Sequence, residues 1–146
     1  MSSSSQVLLI LGFILSICHL SSCQDYRRFR DNHVVIGHMQ ISCAQIESER
    51  NMSDQHGGCK ESNTFIHAEN VKTITRICKG KTEHMDRVLS KHTFHVTDCV
   101  LDQDSLFPNC AFHQTEEKRQ ICVKCVRSFP ILLYSPEEHA SCKPEL

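Results

Sequence analysis

Eight cysteines between residues 43 and 142 constrain this chain more than any other feature: Cys43, Cys59, Cys78, Cys99, Cys110, Cys122, Cys125 and Cys142. An even count suits oxidative folding, and counting alone leaves 105 ways to pair them. The sequence has no Trp and only seven Phe. A chain of this size therefore builds a moderate core, and cross-links supply part of its stability, roughly 2–4 kcal/mol for each long-loop disulfide.

The other two cysteines, Cys18 and Cys23, lie in an N-terminal stretch of different character. The run from Val7 to Cys18 is apolar, too short to span a bilayer, and of the length a signal-peptide core needs. Ser21, Ser22 and Cys23 follow, which places the expected cut between Cys23 and Gln24, although the basic head usual before such a core is missing. The expected organisation is a signal peptide over residues 1–23 and one domain over 24–146, secreted and without a membrane span.

No charged residue occurs before Asp25, so the net charge of −1 belongs wholly to that domain. A polyanion-binding protein generally shows a basic excess. Here any basic surface has to be local, around Arg27, Arg28 and Arg30 or around Lys118 and Arg119. The same charge argues against a cationic, membrane-disrupting defence protein.

Three segments in the first half have helical character, about 25–35, 42–50 and 68–78. In the first, Tyr26, Phe29 and His33 fall at i, i+3 and i+7; in the third, Val71, Ile74 and Ile77 share a face. After Cys78 the runs become shorter and β-like: Thr93–Thr97, Ile121–Cys125 and Ile131–Tyr134, with turns at Asp102–Asp104 and Pro108–Asn109. Helices followed by strands predict an α+β domain.

Cys122 and Cys125 form a C-x-x-C pair, which elsewhere marks a redox or zinc site. On a strand, residues three apart face opposite ways, and no second pair matches it, so no metal is expected. His38, His56, His84, His92, His95 and His113 are scattered without metal-ligand spacing and receive no role, nor is any cofactor called for. Asn51-Met52-Ser53 is a glycan sequon before a turn-rich stretch, and Asn51 is an expected attachment site.

Cys59-Lys60-Glu61-Ser62-Asn63-Thr64-Phe65 resembles the C-K-x-x-N-T-F signature of the pancreatic-type (ribonuclease A) ribonucleases. Phe29-x-x-x-His33, Cys43, Val96-Thr97-Asp98-Cys99 and Phe107-Pro108-Asn109-Cys110-Ala111-Phe112 extend the resemblance, in the family's order, over nearly all of residues 26–134. The chain resembles secreted angiogenin-like and fish ribonucleases. The resemblance implies a ribonuclease A-like fold with three N-terminal-half helices on a curved antiparallel sheet, monomeric and stapled by disulfides. It implies the pairs Cys43 with Cys99, Cys59 with Cys110, and Cys78 with Cys125. Cys122 and Cys142 are then left over; a bridge between them would pin the C-terminal tail, and an intermolecular bridge or two free thiols are the alternatives.

Active members of this family cleave RNA by attack of the ribose 2′-oxygen on its own phosphate. That reaction needs a base, an acid and a cation for the charged phosphorane. By resemblance, His33 takes the general-base position and Lys60 the cation. Asn32 stands at a phosphate contact where Gln is usual, Thr64 reads a pyrimidine base, and Asp98 supports Thr64. The general acid belongs in a segment reading roughly P-V-H-F, which here is Pro130-Ile131-Leu132-Leu133. Leu132 replaces the histidine, and an isobutyl group donates no proton. His139 lies seven residues further on, past the polar Ser135-Pro136-Glu137-Glu138, a poor place from which to hold an acid against a leaving group. His67 is read as a packed histidine at a helix start rather than a catalyst.

Two functions compete at this stage. One is a secreted binding or signalling protein with an extracellular protein or receptor partner and little catalysis, which explains Leu132 and the missing basic excess. The other is a weak endoribonuclease cutting 3′ of pyrimidines with His33 and Lys60, which explains why those residues are present.

Overall fold

The computed structural model describes residues 5–9, 24–81 and 85–145. The predicted leader and cleavage site fall largely outside these residues, as does His84.

Helix α1 covers residues 24–33 and buries Tyr26 and Phe29, the pair spaced i, i+3, against the main core. Residues 34–36 continue directly into strand β1 (Val34–Ile36). Helix α2 (Cys43–Glu49) starts at Ser42, whose hydroxyl accepts from the Gln45 N–H. It ends at Asn51, whose φ of 51° is left-handed. The Asn51 N–H bonds Ser48 O and the Met52 N–H bonds Glu47 O, satisfying carbonyls that a helix end leaves free.

The third predicted helix is shorter than its periodicity suggested. Ala68 closes strand β2 (Ser62–Ala68), Asn70 caps helix α3 (Val71–Thr75), and a 3₁₀ turn (Arg76–Cys78) finishes the segment. His67 therefore sits in a strand, not at a helix start. The reason is that β2, Ser-Asn-Thr-Phe-Ile-His-Ala, buries all of its last four residues, so it lacks the polar–apolar alternation that marks a half-exposed strand.

The remaining strands are β3 (Met85–Leu89), β4 (Phe94–Leu101), β5 (Phe112–Arg119), β6 (Cys122–Val126), β7 (Phe129–Tyr134) and β8 (Lys143–Pro144). A 3₁₀ helix (Pro136–Ser141) precedes β8. They form two four-stranded sheets, β1-β2-β4-β5 and β7-β6-β3-β8. The ladders β2–β4, β4–β5, β3–β6 and β6–β7 are antiparallel, as expected; the short edge pairings β1–β2 and β3–β8 are parallel.

Two hydrophobic clusters share strand β2. Ile66 belongs to the larger one with Phe29, Ile74, Val88, Val96, Ile121 and Val123, while Phe65 points the other way into a smaller one with Val35, Ile46 and the Cys43–Cys99 bridge. Successive side chains on a strand face opposite sides, so one strand closes both cores.

Among the described residues, four disulfides join Cys43 to Cys99, Cys59 to Cys110, Cys78 to Cys125, and Cys122 to Cys142. Cys122 and Cys125, both on β6, thus take different partners. The bridge to Cys142 holds the 3₁₀ helix and β8 against the second sheet, and the Glu145 N–H bonds Leu89 O.

Candidate functional site

The face of α1 that buries Tyr26 and Phe29 also carries His33 at its last turn, with the Phe29 and His33 rings 5.4 Å apart. His33 Nδ1 is 3.0 Å from the Thr64 carbonyl oxygen of β2. This contact orients the ring and assigns the other nitrogen to the open side. Burial is the largest influence on His33 and lowers its pKa to about 4; the Thr64 carbonyl opposes that shift and the Lys60 charge adds to it. The imidazole is accordingly neutral at neutral pH and can accept a proton there.

Asn63, buried at the start of β2, holds two parts of the site together. Its Nδ2 donates to the Asn32 carbonyl at 2.8 Å, fixing the end of α1, and its Oδ1 accepts from Lys60 Nζ at 3.0 Å. Burial pushes the Lys60 ammonium below the usual lysine value, while the Glu47 charge works the other way. The bridging role of Asn63 becomes visible only when α1 and Lys60 are seen on either side of it.

Thr64 and Asp98 are register partners in the β2–β4 ladder, and the Thr64 hydroxyl donates to Asp98 Oδ1 at 2.6 Å. Arg119 of β5 donates to both Asp98 oxygens, at 2.6 and 2.9 Å, and to Glu117 at 3.0 Å. Burial would raise Asp98, but the hydrogen bonds from Arg119 and Thr64 outweigh it and keep the carboxyl below its ordinary value. Arg119, a candidate for free basic surface in the sequence, is thus spent on Asp98. No sequence signal marks this, because strand β5, Phe-His-Gln-Thr-Glu-Glu-Lys-Arg, is polar almost throughout and reads as loop.

These groups open on one cleft of about 430 Å³, walled by His33, Lys60, Asn63, Thr64 and Asp98 on one side and by Leu133, Tyr134, Ser135, Pro136 and Glu137 on the other. Asn32 contributes its carbonyl to Asn63 and is not among the walls. Leu132 faces Lys124 across the β6–β7 ladder and is 47% exposed, while Leu133 lines the cleft. His139 lies in the 3₁₀ helix, outside the walls, and His33 is the one histidine that lines this cleft among the described residues.

The tail wall is fastened from β3. The Tyr134 hydroxyl bonds Asp86, which together with burial pushes its pKa up to about 12. Arg87 lies 4.6 Å over the Tyr134 ring and donates to Ser141 at 2.8 Å. Glu137 therefore stands at the cleft as a carboxylate, kept below its ordinary pKa by its own backbone N–H and the Ser135 hydroxyl.

Elsewhere, His67 is buried, its Nε2 2.8 Å from Thr97 Oγ1 and its ring 4.7 Å from that of His95. Asn51 is exposed at the end of α2. Among the described residues, no three His, Cys, Asp or Glu side chains converge as metal ligands, and no helix is long and apolar enough to cross a membrane.

The pancreatic ribonuclease family profile matches residues 24–138. The chain is 31% identical over 129 residues to the oocytes ribonuclease of Aquarana catesbeiana, covering 88% of this chain and 92% of that one. It is 32% identical over 111 residues to ribonuclease-like 3 of Danio rerio, covering 72% and 74%. Among solved structures, RNASE ZF-1A superposes with a TM-score of 0.67 at 27% identity over 80% of this chain and 94% of that one, and zebrafish RNase5 with 0.65 at 26% over 79% and 96%.

Proposed function

The chain belongs to the pancreatic ribonuclease family, and from that premise we propose that it is a secreted member that acts chiefly as an extracellular binding or signalling protein, its capacity to cut RNA strongly impaired. The observation that carries this reading is the cleft's second wall. Where the family's order calls for a proton donor to the leaving oxygen, the chain supplies Leu132, and its neighbours Leu133, Tyr134 and Glu137 bring an isobutyl group, a tethered phenol and a carboxylate. None of these is an acid poised near neutral pH, and the carboxylate opposes a phosphate electrostatically. Loss of a positioned acid costs about 10²–10⁴ in rate.

The opposite wall supports the residual reaction. His33 is the base for the 2′-hydroxyl; with its pKa near 4 it is always free to accept a proton but a weak base for doing so. Lys60 supplies positive charge for the phosphorane, positioned by Asn63. The Thr64 hydroxyl, its proton committed to Asp98, is left with a lone pair to accept from a base N–H, while its carbonyl is engaged by His33. Water then protonates the leaving oxygen. A weak endoribonuclease acting 3′ of pyrimidines is the second reading, favoured by the gathering of His33, Lys60, Thr64 and Asp98 in one cleft.

Cleavage of a fluorogenic pyrimidine-purine oligonucleotide by the purified protein and by His33→Ala separates the two. Turnover no higher than that of His33→Ala establishes the non-catalytic reading. Turnover that His33→Ala abolishes makes the protein a slow ribonuclease. The leader over residues 1–23, secretion and a glycan on Asn51 belong to the same proposal; N-terminal sequencing and mass analysis of protein released by a eukaryotic host test them, with Gln24 as the expected first residue.

A further inference from the structure

A second cavity, of about 320 Å³, lies between α2 and the turn that leads into β5, away from the cleft with His33. Met52, Phe107, Pro108, Phe112 and Cys110 give it an apolar side, and Glu47, Ser48, Asn51 and Ser53 a polar one. Phe107 stands 56% exposed at the mouth. The volume falls in the range of small-molecule pockets, and a few polar groups in an apolar wall is their usual composition.

Glu47 of α2 is the one ionisable side chain among the described residues that line it. It is 4% exposed, and its Oε1 has no hydrogen-bond partner among the described residues. A buried carboxylate with an empty acceptor site is uncommon because its desolvation goes uncompensated. The strain registers on the group itself: burial raises Glu47 to about 7, and only the Lys60 charge holds it down. Lys60 does not complete the pair, since its Nζ is bonded to Asn63 and it lines the other cleft. Among the described residues, nothing donates to that oxygen.

We propose that this cavity binds a small organic amine, with Glu47 as counter-ion to its ammonium and Phe107, Pro108, Phe112 and Met52 enclosing an apolar stem. The two phenylalanines add a favourable face for the cation beside the carboxylate. The proposal does not rest on RNA cleavage or on the reading given to Leu132.

The test is a titration of the refolded full chain, made in bacteria so that Asn51, which also lines the cavity, carries no sugar. Phenethylamine is added at pH 8 and followed by amide chemical shifts, with 2-phenylethanol as the neutral counterpart. The expected result is saturable shifts at residues 44–53 and 107–112 in the millimolar range or below. The alcohol should bind at least tenfold more weakly, and Glu47→Gln should weaken the amine at least tenfold while leaving the alcohol unchanged. Phe107→Ala, an exposed position that leaves the core untouched, should weaken both probes severalfold and serves if Glu47→Gln alters the fold. Equal binding of amine and alcohol, amine binding unaffected by Glu47→Gln, shifts confined to the cleft of His33 and Lys60, or no saturation in the millimolar range overturns the proposal.

Discussion

The two walls of the His33 cleft were built to different standards. On the α1–β2–β4–β5 side, each polar group has a partner that orients it: His33 on Thr64, Lys60 and Asn32 on Asn63, Thr64 on Asp98, Asp98 on Arg119. On the β7 side the wall is equally well held, by Tyr134 on Asp86, by Arg87 and by the Cys122–Cys142 bridge, yet it presents nothing that transfers a proton at neutral pH. Rigidity and chemistry are thus separate properties. On the proposed reading, the second wall has the first and lacks the second.

The sharpest way to break the contrast is to restore the acid. Leu132→His should raise oligonucleotide cleavage by about 10²–10⁴, with His33→Ala in the same background returning it to the starting level. No gain would mean that the β7 wall holds residue 132 too far from the cleft, as its exposure already hints.

The next largest effect comes from loosening that wall. Cys122 and Cys142 are 20 residues apart, and replacing both with Ala should lower stability to urea by about 3 kcal/mol from loop entropy. Susceptibility to carboxypeptidase should rise in parallel, since the β8 pairing, the Arg87 contacts and the Lys91 N–H bond to Glu145 are left to hold the tail.

Proton linkage sharpens the other wall. His33 falls from 6.5 in the unfolded chain to about 4, so the unfolded state alone takes up its proton as pH falls through that window, and stability drops toward acid. Glu47 rises from 4.5 to about 7, so the folded state alone keeps its proton, and stability drops as pH rises from about 4.5 to 7. The two slopes oppose each other between about 4.5 and 6.5. Relative to the parent, Glu47→Gln should add a slope of about +1.4 kcal/mol per pH unit across that window, and His33→Ala about −1.4, in urea denaturation at three pH values.

The smallest effect expected is at Arg119. Its Asp98 pair is largely enclosed, with 14% and 26% of the two side chains exposed, and Arg119→Met should cost about 1 kcal/mol. The telling readout is the Asp98 carboxyl resonance, whose titration should move upward toward the ordinary value.

Much of this was legible because it is local. The Tyr26, Phe29 and His33 spacing set which face of α1 enters the core and therefore which residue its last turn delivers to the cleft. Val71, Ile74 and Ile77 marked the third helix, but not where it begins, because Ala68 is claimed by β2 through pairing with Ile36 of β1. Strand β5 was not legible at all. Its residues are almost all polar, and it is a strand because β4 offers it a ladder of eight paired positions, not because its own side chains demand one.

The sequence by itself determined the family, the α+β class, the candidate base and cation at His33 and Lys60, and the absence of a histidine at position 132. Covalent identity and short-range periodicity suffice for such statements. Only the tertiary structure decided that Asn63 ties α1 to Lys60, that Arg119 is consumed by Asp98, and that Glu47 is enclosed with an empty acceptor site. Those facts depend on burial and on contacts across dozens of residues, where the free energy of a charge is set by what surrounds it rather than by its neighbours in the chain.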